Sequence, residues 1–354
     1  MQCWLLVGLF ATLALALGLL HRPLGDYMAW VFTSEKNLRF ERLIYRGIGV
    51  DPEREQSWSA YLRSVLLFSL LGVLLLFLVL RTQQWLPFAV NDKPLAAWVA
   101  INAAISFVTN TDWQSYSGEN LGYTAQFAGL TVQNFVSAAT GIAVAITLAR
   151  GFAYRRAGTL GNFWVDLVRA VFRILLPLAT LSSLLLIACG VVQNVHGFVE
   201  AHTITGLTQQ IPGGPVASQE AIKTLGSNGG GFYAANAAHP FENPSGWSNL
   251  LQLLLMLLIP FSLPRTFAKI VGDPRQGYAI LAVMVTLYVC LTAALAGFEF
   301  AGHASAAEAA GAAMEGKEAR FGLAQSLLYA ASGTSRRRVR SIQRMIHTRP
   351  WAGL

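Results

Sequence analysis

The sequence predicts an all-α polytopic membrane protein, on three observations. Of 354 residues, 54% are apolar and only 12% are charged, about half the charged share of a soluble domain. Six uncharged stretches are long enough to cross a bilayer core, which takes ~20 residues. Three shorter apolar segments follow the second, fourth and sixth of them, each running into small polar residues. The expected elements are six transmembrane helices and three re-entrant half-helices. A soluble domain and a disordered chain are excluded by the same composition. A disulfide scaffold is excluded because Cys3, Cys189 and Cys290 stand far apart with no C-x-x-C spacing. Each sits in an apolar run and is expected to be a buried free thiol.

The first span is Cys3 to Leu20. No positive charge precedes it and no A-x-A site follows, so an uncleaved helix is expected rather than a signal peptide. The second is Ser64 to Leu80, bracketed by Arg63 and Arg81. The third lies within Asn120 to Ala149 and the fourth within Ile174 to Val199. The fifth centres on Leu250 to Leu263, and the sixth is Tyr278 to Phe298. Pro177 and Pro260 are expected to kink their helices.

Loop charge orients these spans. Every second loop (21–59, 149–173 and 264–276) is basic, with fourteen Lys and Arg between them. The other loops, with the flanking Arg81, hold only Arg81, Lys93, Lys223, Lys317 and Arg320. The basic side is expected to be cytoplasmic, which puts the N-terminus outside. The net charge of +8 owes much to Arg336, Arg337, Arg338, Arg340, Arg344 and Arg349 near the end. It is not read as nucleic-acid binding.

The short segments are Ala96 to Val108, Val216 to Leu225 and Phe321 to Ala331. They run into Thr109-Asn110-Thr111-Asp112, Gly226-Ser227-Asn228-Gly229-Gly230-Gly231 and Ser332-Gly333-Thr334-Ser335. Asn110, Ser227 and Thr334 are 117 and 107 residues apart, and the preceding spans begin near 64, 174 and 278. Two markers with a similar period indicate one recurring unit of span, half-helix, polar hairpin and span. Such a unit suits a cation. A half-helix ending at mid-membrane aims its carbonyls, the negative dipole end, inward. The hairpin backbone can then replace an ion's hydration shell.

Three longer segments carry a family resemblance. The first is Val108-Thr109-Asn110-Thr111-Asp112-Trp113-Gln114-Ser115-Tyr116-Ser117-Gly118-Glu119, followed by Gly129-Leu130-Thr131-Val132-Gln133-Asn134-Phe135. The second is Gly226-Ser227-Asn228-Gly229-Gly230-Gly231-Phe232, running on to Asn236-Ala237-Ala238-His239-Pro240-Phe241-Glu242-Asn243-Pro244. The third is Glu41-Arg42-Leu43-Ile44-Tyr45-Arg46 with Gly49-Val50-Asp51-Pro52. Over residues 1 to about 335 the chain resembles the potassium-binding A subunits (KdpA) of bacterial potassium-transporting P-type ATPases. The resemblance implies potassium-channel-like span–pore-helix–span repeats around one filter. It implies potassium taken up from the outer side, in the bacterial inner membrane. It also implies a separate P-type subunit that hydrolyses ATP, with small accessory subunits.

The resemblance places the filter on Asn110, Thr111 and Asp112, with Gln114 beside the ion, and on Ser227, Asn228 and Gly229, with Gly230 behind. Its third strand is expected to begin near Thr334 and Ser335. At 112 the family pattern leads one to expect an amide, where this chain has Asp112. At 227 Thr is the commoner residue; Ser227 keeps the hydroxyl. The implied organisation is an extra helix and cytoplasmic loop (1–59), repeat 1 (60–150), repeat 2 (164–270) and the first half of repeat 3 (277–335). Residues 336–354 depart from the pattern and are expected to be an out-of-frame or truncated end, the competing reading being a basic tail for anionic lipid. A ring lacking its remaining units is not expected to transport potassium by itself.

Other residues are expected to be structural. His239 lacks a second ligand at metal spacing. Glu119 is expected to cap backbone groups behind the filter, and Gln133 and Asn134 either pack there or line the path. No G-x-x-x-x-G-K-[ST] or D-K-T-G motif occurs, so no nucleotide is expected on this chain and it is not expected to be an enzyme by itself. The alternative function is a stand-alone potassium channel or carrier. A membrane enzyme fits less well, since no span carries paired carboxylates or a His cluster.

Overall fold

A computed structural model describes residues 2–89, 93–153, 158–301, 314 and 317–334. Among these, six helices are long and apolar enough to cross a membrane. They are α1 (Gln2–Thr33), α3 (Trp58–Arg81), α5 (Ala125–Ala153), α6 (Phe163–Ala188), α8 (Gly246–Val271) and α9 (Pro274–Phe300). The short helix α2 is Arg39–Gly47. The three half-helices are α4 (Ala97–Val108), α7 (Val216–Leu225) and α10 (Gly322–Thr334). A two-stranded antiparallel hairpin, β1 (Val199–His202) with β2 (Thr208–Ile211), pairs Val199 with Ile211 and His202 with Thr208. It is the one strand pair among the described residues, and its mostly polar sequence gave no periodic signal.

Side chains written into the sequence start these helices. The Ser57 hydroxyl accepts from the Ala60 N–H, and the Asn162 amide oxygen from Trp164 at 3.1 Å. Ser245 and Ser248 cap α8 reciprocally. Asp273 caps α9 ahead of Pro274, whose missing N–H is harmless in the first turn.

The fourth span differs from expectation. It begins at Phe163 rather than near Ile174 and ends at Ala188. Asp166, Arg169 and Arg173 therefore lie within the helix. They are tolerated because each has partners. Arg150 forms a two-pronged ion pair with Asp166, at 2.9 Å through Nη2. Arg169 donates to the Val31 carbonyl and to Asn37 Oδ1. Arg173 grips Glu41 of α2, with Nε 2.6 Å from Oε1. Glu41 and Tyr45, both in the third motif, are buried, so that segment is a plug packed on α6. Burial alone would raise the Glu41 carboxyl; the Arg173 hydrogen bonds and the Leu38 N–H outweigh it and hold it below the ordinary value of 4.5.

Prolines shape two of the spans. Pro177 follows a π-helical stretch, Ala170–Leu175. It cannot donate to the Arg173 carbonyl one turn back, and the Tyr27 hydroxyl donates there instead, at 2.9 Å. Pro260 likewise withholds a donor from the Met256 carbonyl, which receives the Ser227 hydroxyl at 3.4 Å.

Helix α8 is the most enclosed span, and α3 the least. Along α8 runs α1, where Arg265 meets Asp26 at 2.6 Å and Thr266 donates to the Gly25 carbonyl at 3.0 Å. A Cβ at Gly25 would stand 2.6 Å from Arg265 Cβ, so only glycine permits this approach. Burial of the thiols is overturned for two of the three: Cys3 and Cys290 are exposed, and Cys189 is half-buried. In a membrane an apolar run can face lipid, so apolarity no longer implies a protein interior.

Candidate functional site

The half-helices α4 and α7 end in the same way. At the first, the Asn110 N–H donates to the Phe107 carbonyl and the Thr111 N–H to Ser106, at 3.1 and 2.9 Å. At the second, Ser227 donates to Thr224 and Asn228 to Lys223, at 3.2 and 2.9 Å. Both are Schellman caps, with the left-handed residue at Asn110 (φ 62°) and Ser227 (φ 55°). Glycine is the usual residue there, and a side chain costs ~1 kcal/mol. Both positions keep a polar side chain nonetheless, a strain of the kind concentrated at functional sites.

These caps decide which backbone groups remain available. The N–H groups of residues 110–112 turn back to the helix end, and that of Trp113 meets the Ser106 hydroxyl. Among the described residues no hydrogen bond ends on the carbonyl oxygens of Asn110, Thr111, Gly229 or Gly230. The N–H groups of residues 110–113, 227–229 and 231 are engaged while these four carbonyls are left over, at the negative ends of two helix dipoles.

The two hairpins are bonded to each other. Asp112 Oδ2 accepts from the Gly229 N–H at 2.8 Å. Gln114 Oε1 accepts from the Gly231 N–H, and its Nε2 donates to the Gly231 carbonyl, both at 2.9 Å. Each of these pairs is separated by 117 residues, the repeat spacing itself. Gly230 (φ 65°) lies in the contact: a Cβ there would stand 2.9 Å from the Asp112 carbonyl oxygen. Gly118 packs equally closely on the Phe232 and Tyr233 backbone.

A polar layer backs the hairpins. Asn228 is fully buried. Its surroundings orient the amide nitrogen toward the Asn134 and Gly226 carbonyls, at 3.1 and 3.2 Å, while its oxygen accepts from the Ser137 hydroxyl at 3.0 Å. Gln126 donates to the Phe232 carbonyl at 2.9 Å. Glu242 accepts from the Tyr233 N–H at 3.0 Å, and Lys223 pairs with Glu220 on α7 itself.

Asn110, Thr111, Asp112, Gln114, Ser227, Asn228, Gly229 and Gly230 are thus brought into one cluster. Thr334 is the last residue of α10, and among the described residues no hydrogen bond joins it to either hairpin. Ser335 lies outside the described residues. Asn134 does pack behind the cluster. Gln133 instead turns toward Gly72 on α3. Backbone capping of the kind expected of Glu119 is performed on the second hairpin by Glu242. His239 stacks on Tyr233 at 3.9 Å and its Nδ1 accepts from the Phe241 N–H, a loop-structural role. Among the described residues no His, Cys, Asp and Glu cluster could hold a metal ion. Gln126, Ser137 and Glu242 are backing residues that no local pattern marks, since their partners lie about a hundred or more residues away for the first two.

Half-helices in a polytopic helical bundle, meeting at an acceptor-rich double hairpin, define a polytopic membrane protein with a polar site inside its bundle. The family model described as "Potassium-transporting ATPase A subunit", KdpA, matches residues 11–348. The chain belongs to this family. It is 59% identical over 325 residues to a "Potassium-transporting ATPase potassium-binding subunit" of Clavibacter sepedonicus, covering 92% of this chain and 58% of that protein. A protein of the same description from Cutibacterium acnes is 57% identical over 330 residues, covering 93% and 59%. Another from Mycolicibacterium vanbaalenii is 54% identical over 328 residues, covering 92% and 59%. The chain therefore spans less than two thirds of the length of these relatives.

Proposed function

We propose that this chain provides the potassium-binding, selecting part of an ATP-driven potassium uptake pump. Potassium is the cargo, and it enters from the outer side onto the carbonyl oxygens of the two hairpins. ATP is hydrolysed on a separate P-type subunit, accompanied by small accessory subunits, and no nucleotide binds here. The chain sits in the bacterial inner membrane with its N-terminus outside, since the basic loops are cytoplasmic. The filter comprises Asn110, Thr111, Asp112, Gln114, Ser227, Asn228, Gly229 and Gly230, completed by a third strand from Thr334 and Ser335.

One observation carries this reading. Two helix ends 117 residues apart share one cap and are cross-bonded at Asp112–Gly229 and Gln114–Gly231. Most of their N–H groups are engaged, while among the described residues the carbonyls of Asn110, Thr111, Gly229 and Gly230 accept no hydrogen bond. Such a site, at two negative helix ends, favours a desolvated cation over an anion. Potassium is supported over other cations by the family.

The test is rubidium-86 binding to the purified chain in lipid nanodiscs, with potassium and sodium as competitors. Potassium should displace the tracer at least tenfold more effectively than sodium, a difference of ~1.4 kcal/mol. Equal competition would overturn the reading. Co-expression with P-type partners of a relative should yield a co-purifying complex.

A further inference from the structure

Helix α8 carries two buried amides one turn apart, Asn249 and Gln252. Each joins the loop after the second hairpin to the third half-helix. The Tyr329 hydroxyl of α10 donates to Gln252 Oε1 at 3.2 Å, and Gln252 Nε2 donates to the Glu242 carbonyl at 2.9 Å. Beside this chain runs a second in the opposite sense. Asn243 Nδ2 donates to Asn249 Oδ1 at 3.0 Å, and Asn249 Nδ2 donates to Gln325 Oε1 at 3.1 Å.

The loop end of this pair of bridges reaches the filter directly. Glu242 holds the Tyr233 N–H, and a Cβ at Gly231 would stand 2.6 Å from its carboxylate. Gly231 is the residue that Gln114 of the first hairpin binds through both its N–H and its carbonyl. A continuous path therefore runs from α10 through α8 to the contact between the hairpins. Tyr329, Gln252, Glu242, Asn243 and Asn249 are all buried. Apolar packing alone would let α10 slide or rotate against α8. A buried amide has fixed donor and acceptor ends, so two bridges of opposite sense admit one register.

We propose that Gln252 and Asn249 are positioning residues for ion selection, setting the third half-helix against the second filter hairpin. This rests on the function proposed above. An ion ring discriminates by the spacing and stiffness of its oxygens, and a bridge between two of its quadrants acts on both.

Three variants test it in nanodiscs: Tyr329→Phe, Gln252→Leu and Gln252→Glu. Phe deletes one hydroxyl and leaves packing intact. Glu keeps the acceptor for Tyr329 and loses the donor to the Glu242 carbonyl. Amide hydrogen exchange at Phe232 and Tyr233 should rise about tenfold in all three (~1.4 kcal/mol), while residues 97–108 of α4 are unchanged. The potassium-over-sodium ratio for displacing rubidium should fall by a similar factor. Unchanged exchange at 232–233 would overturn the positioning role. Raised exchange with an unchanged ratio would overturn its link to selectivity. A wild-type chain without potassium preference would overturn the proposed function instead, and the exchange data would still judge the bridge.

Discussion

The Asp112 carboxylate accepts a hydrogen bond from the Gly229 N–H at 2.8 Å, across one repeat of 117 residues. A carboxylate beside a cation path suggests a charge aimed at the ion. Here at least one of its oxygens is engaged in joining the two hairpins. An amide oxygen can do the same, which accounts for an amide being the expected residue at this position.

Asp112→Asn should therefore be mild, within about threefold in rubidium affinity. Asp112→Ala should cost ~1.5–3 kcal/mol, the usual worth of a hydrogen bond to a charged group, and loosen both hairpins. Asp112→Lys should do more harm than Ala by placing a cation near a cation path. Tracer competition checks all three, and a harmless Lys would mean that the side chain faces away from the filter.

Gly230→Ala should reduce rubidium binding about tenfold or more, since the left-handed backbone costs ~1 kcal/mol with a Cβ and the methyl would press on the Asp112 carbonyl at 2.9 Å. The positive φ belongs to Gly230. Affinity equal to wild type in Gly230→Ala would show that the hairpin contact is not part of the ion site.

Glu41→Gln should destabilise the bundle by ~3–5 kcal/mol, because Arg173 would be left buried without its counter-charge. The folded carboxyl lies below its ordinary value of 4.5. Its contribution is thus fully present above about pH 4.5 and is lost as pH falls through the lower folded value. Thermal unfolding in detergent should show a lowered midpoint for Glu41→Gln and a flatter acid dependence than wild type.

Tyr27→Phe should cost ~1–3 kcal/mol by leaving the Arg173 carbonyl without its donor. Pro177→Ala restores a backbone N–H one turn on from that carbonyl. In the Pro177→Ala background the Tyr27→Phe penalty should therefore shrink. A double-mutant cycle in thermal unfolding measures this, and strict additivity would show that the two residues do not share the carbonyl.

Hydropathy and spacing by themselves determined that the chain has six spans and three half-helices, because a bilayer imposes fixed lengths and a helix closes its own hydrogen bonds. The polar runs 109–112 and 226–231 were legible for the same reason, lying just past apolar segments, whereas Gln114 and the filter roles of single residues came only from the family resemblance. Span four was misplaced by eleven residues at its start, since Asp166, Arg169 and Arg173 read as loop charges. Only the folded chain brings Arg150 and Glu41 to them. Whether Cys3 and Cys290 face protein or lipid was likewise undecidable, both being apolar surroundings to a thiol. The tertiary structure alone decided that Asp112 reaches Gly229, that Glu242 caps Tyr233, and that Asn249 and Gln252 bridge α10 to the loop after the second hairpin. Each depends on the direction of a hydrogen bond between side chain and backbone across packed elements, and direction in space is not a property that residue type or periodicity encodes.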